Sequence, residues 1–113
     1  VRAWVALLVL LATPATALAN DYPTEARAEY VFACMATNGQ TRKALSECSC
    51  AIDHIARLLD YDDYVAAETV LRMRQVSGER AGLFRDTPYT NNFAKVLRTA
   101  EAEAEILCFT PGN

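Results

Sequence analysis

The sequence predicts an all-α fold, a small four-helix bundle stapled by two disulfides and preceded by an export signal. Three observations carry this. Apolar residues recur at helical spacing and almost never alternate. Four cysteines, Cys34, Cys48, Cys50 and Cys108, all lie downstream of an N-terminal apolar run. An even cysteine count in a small exported chain reads as a disulfide framework.

Residues 1–19 read as a secretory signal peptide. Arg2 supplies the charged start, Trp4 to Leu11 is unbroken and apolar, and Ala17-Leu18-Ala19 is a small-x-small cleavage site. The run is too short for a membrane span, which needs about 20 apolar residues, so no stable membrane insertion is expected after cleavage. Val1 in place of Met fits an alternative start codon and a bacterial gene. The expected mature chain, Asn20 to Asn113, has 94 residues, room for a single helical domain, 20–113. Its expected location is the periplasm or the medium. A domain of this size has a marginal core, which two disulfides at about 2–4 kcal/mol each would offset. Ten basic and fourteen acidic side chains remain, a net charge of −4. That balance argues against nucleic acid, which calls for a basic patch.

The first helix is expected from about Pro23 to Thr37. Asp21 is its candidate cap and proline suits a first turn. Tyr30, Val31, Cys34 and Met35 form its apolar stripe, and Asn38-Gly39 stops it. The second helix spans about Thr41 to Leu59. Ala44, Leu45, Cys48, Ala51, Ile52, Ile55, Leu58 and Leu59 share one face; Lys43, Glu47, Cys50, His54 and Arg57 share another. Asp60 or Asp62 caps a third helix running to about Val76, with Tyr64, Val65, Ala67, Val70 and Leu71 apolar. The stretch from Ser77 to Tyr89 reads as the longest irregular segment of the mature chain. The fourth helix starts near Asn91 or Asn92 and runs to about Cys108. It points Phe93, Val96, Leu97, Ala100, Ala104, Leu107 and Cys108 inward, and Glu101, Glu103 and Glu105 mainly to water.

Residues two apart on a helix point about 200° from each other. Cys48 and Cys50 therefore cannot pair while their helix is intact. The hairpin near Gly39 brings Cys34 nearer Cys48 than Cys50, which favours Cys34–Cys48 with Cys50–Cys108. The crossed pattern, Cys34–Cys50 with Cys48–Cys108, remains the alternative.

No catalytic signature emerges, and no enzyme activity or cofactor is expected. The chain has one histidine, no Gly-x-Ser-x-Gly elbow and no His-Glu-x-x-His. The Cys-x-Cys spacing inside a helix is not the Cys-x-x-Cys of redox proteins. Asp60, Asp62 and Asp63 do not make a calcium loop, because positions 6 and 12 counted from Asp60 hold Val65 and Leu71. Two surfaces are worth weighing. Arg72, Arg74, Arg80 and Arg85 with Phe84 and Tyr89 form a candidate protein-binding region, since arginine and aromatics are enriched at interfaces. The plainer reading is a solvated face paired with Glu68 and Glu79. Cys48, Cys50, His54 and Met35 form a candidate copper or zinc set, which requires reduced thiols.

The segments Tyr30-Val31-Phe32-Ala33-Cys34-Met35, Cys48-Ser49-Cys50-Ala51-Ile52-Asp53 and Tyr64 to Thr69 resemble a pattern in small exported four-cysteine helical proteins of proteobacteria. Some of these accompany periplasmic quinoprotein alcohol-oxidation systems. The resemblance covers about half of the mature chain and implies an accessory periplasmic role, with no activity or binding residue attached. The expected function is a non-enzymatic module that binds another periplasmic protein. The alternatives are a copper- or zinc-handling protein and an immunity or inhibitor protein.

Overall fold

The computed structural model describes residues 21–75 and 87–110. The expected signal peptide, Arg80, Phe84, Arg85 and most of the expected irregular segment lie outside the described residues. Those described form four helices: α1 (Thr24–Asn38), α2 (Arg42–Leu58), α3 (Tyr61–Gln75) and α4 (Pro88–Cys108). No strand occurs among them, and none of their helices is long and apolar enough to cross a membrane.

Helix boundaries follow local chemistry. Thr41 caps α2, its side-chain oxygen accepting from the Ala44 N–H. Gly39 ends α1 at φ 105° and ψ 159°, where a side chain is strained. Its N–H donates to the Met35 carbonyl at 2.8 Å. The Cys34 carbonyl accepts from both Thr37 Oγ1 and Asn38 Nδ2. Two expectations need correction. Asp21 does not cap the first helix: Pro23 holds that position without a side-chain bond. The Asp21 carboxylate instead accepts from the Tyr61 N–H at 3.2 Å, putting negative charge at the start of α3. The fourth helix begins a turn before Asn91, because Thr87 caps it through the Thr90 N–H and Pro88 fills the first turn.

The helices pack in a simple order: α1 on α2, α2 on α4, and α4 on α3. α1 and α2 run antiparallel, pairing Arg27 with Asp53 and Cys34 with Cys48. α2 and α4 do the same, with Cys50 bonded to Cys108 and His54 beside Glu103. The core is drawn from α2, α3 and α4. Cys48, Ile52, Ile55 and Leu97 are its largest fully buried side chains. Alanines 44, 51, 56, 67, 94, 100 and 104 fill most of the rest, so the helices approach closely. The bulky residues expected inward at Leu45, Leu58, Val65, Val96 and Leu107 are exposed instead, because the alanine stripes beside them take the contacts.

α1 contributes no buried residue of its own. Tyr30 and Val31 are only half-buried against the core. The helix is held at its entry by Tyr22, at mid-length by the Arg27–Asp53 pair, and near its end by a disulfide. It therefore stands as a strap over α2, leaving a cleft toward α3 and α4.

Candidate functional site

All four sulfurs are oxidised. Cys34 bonds to Cys48 with Cα atoms 5.9 Å apart, and Cys50 bonds to Cys108 at 5.7 Å. This is the favoured pairing, and the crossed one is excluded. With these bonds in place, Cys48 and Cys50 of the candidate metal set carry no thiolate to offer an ion. The remaining members are also apart. Met35 lines a groove between α1 and α2 with Leu45, Ser49 and Ile52. His54 faces α4, with Nε2 3.6 Å from Glu103 Oε2 and Nδ1 3.3 Å from Arg57 Nη2. Among the described residues, no group of three or more His, Cys, Asp or Glu is placed to hold a metal.

The arginine region divides. Arg72 is exposed and its Nη2 donates to Glu68 Oε1 at 2.5 Å, with Glu29 Oε1 3.6 Å away on α1. Arg74 turns the other way and donates to Asn91 Oδ1 on α4 at 2.7 Å. Tyr89 is 72% exposed, its ring edge-on to Phe93 at 4.9 Å. Arg72 and Arg74 therefore belong to different surfaces. The Arg72–Glu68 pair matches the plainer reading, in which these charges offset one another on a solvated face.

The feature richest in chemistry is the cleft left by α1. It measures about 510 Å³ and is bounded by α1, α3 and the last turns of α4. Tyr30, Tyr61, Tyr64 and Phe109 give it an aromatic lining; Glu29, Glu68, Glu101 and Glu105 give it carboxylates; Arg72 sits among them. Tyr64 belongs to a cluster with Tyr22 and Tyr61, ring centroids 5.1 Å and 6.4 Å away.

Tyr30 and Tyr64 hold their protons tightly. Burial, with help from Glu101 and Glu105, pushes the Tyr30 phenol up to about 12. Burial and the nearby Glu68 raise Tyr64 as well. Glu101 is half-buried, not turned to water as expected, and burial raises its carboxyl above the ordinary range while Arg98 pulls the other way. The cleft thus combines π faces, neutral phenols and a carboxylate short of compensation.

Sequence reading missed this site because Tyr30 and Tyr64 were absorbed into apolar stripes and Glu101 into a polar face. The available signal was the pair Glu101 and Glu105. Like charges four apart on a helix repel, and here they flank the buried stripe of Ala100, Ala104 and Cys108. Comparison of the chain with protein-family models, curated proteins and solved structures found no match.

Proposed function

We propose that this chain is a non-enzymatic accessory module of the periplasm that binds another protein. The observation that carries the reading is the distribution of bulky apolar side chains. Alanine is the commonest residue of the core, while Phe32 (77%), Tyr89 and Ile106 (82%) stand in solvent. Large apolar side chains left exposed on so small a domain fit a surface that a partner covers. Two disulfides fit an oxidising compartment and a rigid scaffold that presents such surfaces without rearranging.

The test is site-specific photo-crosslinking in the native host. A photoreactive residue replaces Phe32 or Tyr89, with Gln40 in the exposed turn as the control position. The reading predicts one discrete protein adduct from Phe32 or Tyr89 and none from Gln40. The same diffuse background from all three positions would contradict it.

A further inference from the structure

The cleft beside α1 has a composition that selects its occupant. Four carboxylates line it against the single guanidinium of Arg72, which is already engaged by Glu68 and Glu29. Glu101 and Glu105 repeat one charge on successive turns of α4, beside the ring of Tyr30. Aromatic faces attract organic cations, most strongly where water is partly excluded. An anionic ligand would meet repulsion on three sides.

Its length bears on what kind of cation fits. On α1 the lining runs from Ala26 to Asn38, about 18 Å at 1.5 Å per residue. That matches about five residues of extended chain and exceeds a single ammonium or guanidinium head group. Building on the protein-binding reading above, we infer that the cleft docks a basic segment of the partner protein, with a lysine or arginine head group lying on Tyr30 against the Glu101 carboxylate. Neighbouring basic residues of the segment meet Glu105 and Glu68. A cation at this point also offsets the burial penalty that Glu101 carries when ionised.

The test titrates the oxidised protein with pentalysine and follows backbone amide shifts by NMR. Pentaglutamate and n-butylammonium are run in parallel. The inference predicts saturable shifts along the cleft-facing turns of α1 and α3 with pentalysine alone. Glu101→Gln and Tyr30→Leu should each weaken binding about tenfold or more, corresponding to about 1.4 kcal/mol. Glu25→Gln, on exposed α1 outside the cleft, should leave it unchanged. Shifts that do not saturate, equal weakening by Glu25→Gln, or n-butylammonium binding as tightly as the peptide would each overturn the assignment. So would undiminished crosslinking of the partner in the Glu101→Gln background, which leaves the protein-binding reading standing. If wild type yields no crosslinked partner, that broader reading fails, and the peptide titration still decides what the cleft accepts.

Discussion

The Tyr22 hydroxyl donates a hydrogen bond to the Leu59 carbonyl at 3.0 Å, joining the residue that leads into α1 to the residue that ends α2. Both are buried. Leu59 follows the last helical residue, so its carbonyl has no partner within α2 and the phenol supplies one. The Tyr22 ring meanwhile packs on Tyr61 and Tyr64 at 5.2 Å and 5.1 Å. Tyr22→Phe keeps those contacts and strands the carbonyl. It should cost about 1–2 kcal/mol, read as a lower urea midpoint with an unchanged slope.

The two disulfides should differ in what they hold. Cys34–Cys48 closes a loop of 14 residues and Cys50–Cys108 one of 58. Loop-closure entropy assigns about 3 and about 4 kcal/mol to them. The larger difference is spatial. α1 buries no residue, so Cys34→Ala with Cys48→Ala should free α1 while α2 and α4 stay packed. Hydrogen exchange should show lost protection in 24–38 and retained protection in α2 and α4. Cys50→Ala with Cys108→Ala should lower protection throughout.

The alanine core is close to its volume limit. Ala100 is 3% exposed within the cluster that includes Ile52, Ile55 and Leu97. Ala100→Leu should overpack it and cost about 1–3 kcal/mol. Leu97→Ala removes the largest α4 side chain from the same cluster and should cost about 2–5 kcal/mol. Thermal melts of both variants check the pair.

Glu101 sets a pH dependence with a definite sign. Its folded-state pKa is raised by burial, so the folded chain binds its proton more tightly than the unfolded chain. Its contribution to stability is therefore full below the unfolded carboxyl value of about 4.3. It is lost as pH rises from there through the raised folded value. Glu101→Gln removes that loss. The variant should gain stability relative to wild type on going from acid to neutral pH, measured by urea unfolding across that range. A difference that stays flat or falls with pH would contradict the placement of Glu101.

Gly39 is the one residue among those described whose backbone has positive φ. A Cβ there meets nothing within 4 Å, so any cost of Gly39→Ala is conformational and not steric crowding. The expected loss is about 1–3 kcal/mol, visible in the same denaturation assay.

Much of this was legible in the sequence where one physical rule decides. The 200° offset of residues two apart separated Cys48 from Cys50 and left each a different partner. The same rule applies to Arg72 and Arg74, which is why an arginine cluster close in sequence divides between α1 and α4. Proline opens α4 at Pro88 just as it precedes α1 at Pro23, yet Thr87-Pro88 closes a stretch whose glycines and charges read as a loop. Burial was less legible. Leu58, Val96 and Leu107 outrank alanine in apolarity, yet Ala56, Ala100 and Ala104 take interior positions on α2 and α4 while those larger side chains fall on the exposed arc. The cleft was hidden for a tertiary reason: nothing in the residues of α1 alone shows that it buries so little and stands off from α3.

The account rests on sulfur acting as a fixed scaffold that holds α1 beside an open cleft. The most direct measurement is a mass map of cysteine linkages in protein isolated without reductant. It should return Cys34–Cys48 and Cys50–Cys108 with no free thiol. Free thiols in native material, or the linkages Cys34–Cys50 and Cys48–Cys108, would contradict it.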